Sequence, residues 1–334
     1  MSFKDIYGQD NATTLLTSYL NQGKLEGGFL FCGPDGVGKR LAAKILAQSA
    51  NCLENDFGAC GHCSSCKKIE SLQHPDVYFI NADTPIDIPG EGPNDEGATG
   101  ALKIGHVRQL QKNISYRAYE GKKKFFIIDN AHNLTPSASN ALLKILEEPP
   151  KGSVIILITD KPFLLFKTII SRCKVIKFIP LQREELQGIL IKDHGLDNDT
   201  AHFLAYFCEG RLGRALQLKD EDILNKRNEL IDKFINANKL KLDNFSLQKR
   251  DEVRSCLNIL AAWFRDIYLL KVGAQDSGLI NLDRSDELER SLANFSVSKL
   301  NEIMDSISES IFYLERNINT RLLLHNLGAQ LWKV

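Results

Sequence analysis

The sequence lacks a net charge. Lysine plus arginine and aspartate plus glutamate number 42 each in 334 residues. That balance argues against a surface that is one continuous nucleic-acid glove, although it leaves room for a local basic patch. A long apolar run is also missing: none approaches the ~18 residues a membrane helix needs. The opening stretch MSFKDIYGQDNATTLL shows no charged-then-apolar leader pattern, and there is no solenoid-type repeat. From these absences we expect a soluble, cytoplasmic chain without a membrane partner. What is present is ordinary globular composition, 43% apolar and 25% charged, over a length that suits two or three domains.

Five short apolar runs punctuate the first half: FLFC at 29–32, VYFI at 77–80, FFII at 125–128, VIILIT at 154–159 and VIKF at 175–178. Runs of this length fit strands buried on both faces. Helical patterns lie between several of them. In TPSASNALLKIL, residues 135–146, Thr135 caps, Pro136 suits the first helical position, and Ala138, Ala141, Leu142, Ile145 and Leu146 repeat at helical spacing. Pro149 and Pro150 end that helix. Strands alternating with helices imply an α/β domain with a parallel sheet wrapped on both faces. Residues 82–100, rich in glycine, proline and acids, read as a mobile surface insertion. Beyond about residue 180 the strand signals fade. The expected plan is an α/β domain over 1–180, a small helical lid over 181–221 with a capped helix that stops at Gly210, and an all-helical domain over 222–334. In the last, Trp263, Phe264, Ile267, Tyr268, Leu269, Leu322, Leu323, Leu324 and Trp332 are candidate core or interface.

One stretch is almost a phosphate-binding loop. GPDGVGKR, residues 33–40, follows an apolar run and precedes a helical pattern starting near Lys39. That context presents backbone N–H groups and a helix N-terminus to an anion. Gly33, Gly36, Gly38 and Lys39 are in place. The eighth position, where a serine or threonine hydroxyl holds magnesium, is Arg40, which cannot ligand a cation. The alternative is a plain glycine-rich turn with an exposed lysine. A second stretch, KKKFFIIDNAH, ends an apolar run in Asp129, the position of a magnesium-associated aspartate in such ATPases. The next residue, where a glutamate would activate water, is Asn130, whose amide is no base. An ordinary Asp-Asn turn is the competing reading. Lys122, Lys123 and Lys124 before that run read as solvated.

The cysteines are the other signal. Cys52, Cys60, Cys63 and Cys66 lie within fifteen residues with C-x7-C-x2-C-x2-C spacing. In a cytosolic chain such a cluster points to metal ligands rather than disulfides. Four thiolates satisfy a tetrahedral zinc, and a closed four-sulfur site is structural. Free thiols and an iron–sulfur centre are the alternatives. His62 and His74 are near enough to compete as ligands, but four sulfurs suffice.

Taken together, GPDGVGKR, CxxCxxC, HPDVYFI, FFIIDNAHNLTPSASNALLKILEEPP and SRC resemble the clamp-loader branch of the AAA+ ATPases, the bacterial DNA polymerase III clamp-loader family. Within it they resemble the non-motor kind of subunit. The resemblance is strong over the first 180 residues, reasonable over the lid, and rests mainly on NINTRLLLHNL in the C-terminal segment. It implies a P-loop-type sheet domain carrying a zinc module at 52–66, a lid, and a collar domain that holds a five-subunit ring together. The implied partners are gamma or tau motor subunits and a delta subunit, with the sliding clamp and primed DNA met through the complex. Arg172, in SRC, matches the arginine that such a subunit places in a neighbour's ATP site. A surface salt bridge is the plain alternative for it. Thr159 matches the polar residue that reads the γ-phosphate in active relatives, or else it caps a strand end. The lid's nucleotide-sensing arginine would stand at Gly213, with Arg214 one step and about 100° away. Arg40, Asn130 and Gly213 all depart from the active pattern. We therefore expect no ATPase activity from the chain alone, and doubtful ATP, ADP or magnesium binding. A gamma/tau-like active motor is the alternative.

Overall fold

A computed structural model of the chain describes residues 2–55, 58–86, 100–236, 250–274, 278–316 and 318–331. Most of the expected 82–100 insertion, and Trp332, lie outside the described residues. The chain divides into two compact units. One comprises residues 1–181 and 211–213, the other 182–210 and 214–334.

The first unit runs α1 (Asp10–Asn21), β1 (Gly27–Cys32), α2 (Lys39–Asn51), α3 (Ser64–Glu70), β2 (Val77–Ile80), α4 (Ile104–Ser115), β3 (Lys124–Ile128), α5 (Pro136–Glu147), β4 (Ser153–Thr159), α6 (Lys167–Ile170) and β5 (Cys173–Lys177). Its five strands form one parallel sheet in the order β2-β3-β4-β1-β5. Alternation along each strand sends side chains to opposite faces. Phe29, Phe31, Phe125, Ile127, Val154, Ile156 and Ile158 pack with α1 and α2 on one side. Leu30, Phe126, Ile128, Ile155 and Leu157 pack with α4 and α5 on the other. Each such side chain removed from water contributes about 1.5–3 kcal/mol. The central strands β1, β3 and β4 are buried at every residue. Burial on both faces fails at the margins. β5 is an edge strand in which only Ile176 is fully buried, and β2, the other edge, has half-buried Tyr78 and Phe79. A strand paired on one side only has a flank that no neighbouring strand covers.

Helix α5 shows how sequence fixes the local structure. Thr135 Oγ1 accepts from the Ala138 N–H at 3.3 Å, Pro136 opens the helix, and Ala138, Leu142, Ile145 and Leu146 are buried. Ala141 is half-buried against the same core. The reading of Lys122–Lys124 as solvated needs correction at Lys124. That side chain is 5% exposed, and its Nζ donates to the Asn113 carbonyl at 2.8 Å.

The second unit is helical: α7 (Arg183–His194), α8 (Asn198–Phe207), most of α9 (Leu212–Asp220), α10 (Ile223–Asn236), α11 (Arg250–Lys271), α12 (Ser285–Ser291), α13 (Val297–Glu315) and α14 (Thr320–Leu331). Asp197 caps α8 by accepting from the Thr200 N–H at 2.9 Å, and Gly210 follows at φ 79°. The two helical segments read from the sequence share this unit. His202 Nε2 on α8 donates to the Leu279 carbonyl at 2.8 Å. Buried Arg227 on α10 pairs bidentately with Asp283 at 2.8 and 2.5 Å, under the ring of Phe203. Trp263, Phe264, Ile267, Leu323 and Leu324 are core, whereas Leu322 is 57% exposed.

Candidate functional site

The carboxyl ends of β1, β3 and β4 bring the loop residues, Asp129 and Thr159 to one end of the sheet. The loop leaves β1 at Gly33, where a Cβ would meet the Phe178 carbonyl oxygen at 2.1 Å, so only glycine fits. Gly36 and Gly38 stand at φ 80° and 98°, and Gly38 precedes α2. Lys39 is 6% exposed, and its Nζ donates to the Gly33 and Pro34 carbonyls at 2.7 and 2.6 Å. Burial lowers its pKa, opposed by the carboxylates of Asp35, Asp160 and Asp129.

Arg40 points its Nη1 at Asp129 Oδ2, 3.7 Å away. The guanidinium thus faces the Asp129 carboxylate. Half-exposed and beyond hydrogen-bond reach, the pair is worth less than about 1 kcal/mol of stability. Asn130 adopts a left-handed conformation at φ 50°, and its N–H donates to Asp129 Oδ1 at 3.0 Å. Thr159 is 1% exposed; its Oγ1 accepts from the Lys161 N–H at 3.0 Å and lies 3.1 Å from His132 Nδ1. His132 Nδ1 is also 3.3 Å from Asp160 Oδ1. Burial depresses the His132 pKa against the pull of Asp160, so the ring is neutral near pH 7. His132 and Asp160 were not singled out from the sequence. The signal for His132 was its place three residues beyond Asp129.

Gly213 falls in the first unit, where its N–H donates to the Gly36 carbonyl at 2.8 Å. A Cβ there would lie 2.9 Å from that oxygen and 3.2 Å from Gly36 Cα. Arg172 is elsewhere. It immediately precedes β5, whose first residue pairs with Gly28 near the start of β1. The run of β1 separates that level from the loop by roughly 16 Å. Its guanidinium donates to the Thr168 carbonyl at 2.9 Å and pairs with Glu147 at 2.6 Å, and remains 35% exposed.

The cysteines converge. The sulfurs of Cys52, Cys60, Cys63 and Cys66 all lie within 4.8 Å of one another. Cys52, Cys63 and Cys66 are buried and Cys60 is half-buried. Burial raises the Cys52 thiol, but N–H groups of residues 60, 54 and 55 outweigh it and bring the pKa to about 6. Burial drives Cys66 up to about 12. Cys63 is shifted down and Cys60 up. Such a set does not ionise fully by itself; four thiolates need a cation among them, and this donor set fits zinc. The cluster is anchored to the sheet. Gln48 Nε2 donates to the Cys66 carbonyl at 3.1 Å. Asn51 brackets Lys123, accepting from its N–H at 2.8 Å and donating to its carbonyl at 3.0 Å. His62 is exposed, whereas His74 is buried with Nδ1 accepting from the Asp76 N–H at 3.1 Å.

A strand–glycine loop–helix cradle on a five-stranded parallel sheet, followed by a helical C-terminal part, defines an AAA+-like α/β fold. The family model described as "DNA polymerase III, delta subunit" matches residues 8–182, and "DNA polymerase III, delta subunit, C terminal" matches 221–331. The chain belongs to the DNA polymerase III delta-subunit family. It is 29% identical to the Bacillus subtilis DNA polymerase III subunit delta' over 97% of this chain and 96% of that protein. It is 32% identical to the Escherichia coli DNA polymerase III subunit tau over 71% of this chain and 35% of that protein. Among solved structures, a DNA polymerase III gamma subunit-related protein of Thermotoga maritima aligns at a TM-score of 0.40 and 18% identity, covering 95% of this chain and 98% of that one. Among the described residues, no helix is long and apolar enough to cross a membrane.

Proposed function

We propose that this chain is the non-motor, delta-prime-type member of a bacterial DNA polymerase III clamp loader. The observation that carries the reading is Arg40 facing Asp129 at 3.7 Å. A permanent cation occupies the place where a motor holds magnesium, and the neighbouring Asn130 offers no base. Such a chain retains the cradle as architecture. It works as a fixed member of a hetero-oligomeric ring with gamma or tau and delta subunits, and meets the sliding clamp and primed DNA through that ring.

Arg172 is the residue assigned to a neighbour. Its distance from this chain's own loop suits action in trans. The segment before it carries exposed Phe163 (79%), Leu164 (53%) and Phe166 (39%), the kind of apolar surface that an adjoining subunit covers. The Glu147 pair holds the guanidinium until a phosphate competes for it, and a planar, always-charged fork then stabilises developing phosphate charge. Cys52, Cys60, Cys63 and Cys66 hold a structural zinc, whose chemistry is to bind four thiolates and fold the 52–66 segment around them.

The motor alternative draws on the intact Lys39 cradle. The two readings part on reconstitution. In a ring assembled with motor and delta subunits, Arg172→Ala lowers turnover at the adjoining site by about 10³-fold while subunit stoichiometry is kept. Unchanged ring ATPase removes the trans role.

A further inference from the structure

Cys60 belongs to two donor sets. Besides the four-sulfur cluster, its Sγ lies within 4.8 Å of a Glu54 carboxylate oxygen and a His62 ring nitrogen, all three of those residues being at least partly exposed. His62 Nδ1 is 2.9 Å from the Cys60 carbonyl, which only accepts, so Nδ1 carries the hydrogen. Nε2 lies 2.5 Å from Glu54 Oε2, close enough that a proton is shared between them. A histidine whose Nδ1–H is held by a carbonyl has its other nitrogen oriented as a metal ligand. The side chains of His62 and Glu54 are 69% and 47% exposed, whereas Cys52 and Cys66 are fully buried. A buried four-sulfur site is closed to a hydrated ion. The only half-buried thiol of the four is the one shared with the outer set.

We propose that Glu54, His62 and Cys60 form a metal entry and exit port for the four-cysteine site. The inference rests on the zinc reading of that site. As a hydrated divalent cation exchanged waters for a Glu54 oxygen, His62 Nε2 and the Cys60 sulfur, the proton shared by Nε2 and Glu54 and the Cys60 thiol proton would both pass to solvent. Cys63, Cys66 and Cys52 would then displace the imidazole, the carboxylate and the remaining water, any of them still protonated losing its proton to solvent as its sulfur bound. Cys60 stays bound throughout, so the ion is never without a protein ligand. An N, O and S donor set suits the borderline divalent ions that also accept four thiolates.

The test uses the full chain stripped of metal, with Co²⁺ as probe and thiolate-to-cobalt absorption as readout in a stopped-flow instrument. Glu54→Gln and His62→Gln are compared with the wild type. The proposal expects loading to slow about tenfold, with the final spectrum and equilibrium affinity unchanged. By microscopic reversibility, removal by a chelator then slows by the same factor. The final spectrum also reports that the variant has folded its site. Unchanged rates in both directions overturn the port, and so does a changed final spectrum, which would place His62 or Glu54 in the resting ligand set. A wild-type chain with no thiolate absorption would instead remove the four-sulfur site itself, and the port with it.

Discussion

At the scale of single residues, the turn before β3 is held by a side chain far from it in sequence. The Asp76 carboxylate is buried and accepts from the N–H groups of Tyr119, Glu120 and Gly121 at 2.8–3.0 Å. Asp76→Ala leaves those donors unpaired and costs roughly 3 kcal/mol, read as a lowered urea midpoint at pH 7. Acid should act in two stages. His74 and His132 both titrate below their ordinary value because burial disfavours the charged ring, with nearby carboxylates opposing. The unfolded chain takes those protons first, so stability is full above about pH 6.5 and drains as the pH falls toward the folded values. For Asp76, burial raises the pKa, but the three N–H groups and Lys124 more than offset it. Its contribution is therefore present above about pH 3.9 and lost below. A urea midpoint that rises on acidification from neutrality would contradict this. The ligand set has its own test: Cys63→Ser should lose bound zinc, measured by metal content, and should loosen residues 58–70 to hydrogen exchange. Retained stoichiometric zinc would show a different ligand set.

At the scale of elements, the strands were legible because continuous apolar runs need burial on both sides, and β1, β3 and β4 have it. The edges were less so, because pairing on one side only is a property of the sheet and not of the run. The glycine-rich turn between β1 and α2 was readable from spacing alone, since its geometry is local. What escaped the sequence was distant in it. Lys124 finds its carbonyl on α4, Arg172 finds Glu147 on α5, and Gly213 meets Gly36 from far along the chain. Gly213 looked like a missing arginine; it is also a backbone contact that tolerates no side chain as it stands. Gly213→Ala should push residues 211–213 off the loop at a cost of about 1–3 kcal/mol, with faster amide exchange at residues 33–38. Unchanged exchange there would show that the contact is incidental.

At the scale of the whole molecule, each unit has a separate task in the proposed assembly. The sheet unit presents Arg172 at one end and the glycine-loop cradle at the other. The helical unit holds its own core through Arg227, His202 and Trp263, and leaves residues such as Leu322 at its surface. Composition gave the globular class, and the motifs gave the family. Which surfaces meet other subunits was not legible, because periodicity does not separate core from interface. The most direct measurement is phosphate release by the purified chain alone with magnesium and ATP. The account predicts no turnover above background, and no difference between the wild type and Lys39→Ala. Sustained turnover by the isolated chain, abolished by Lys39→Ala, would contradict it.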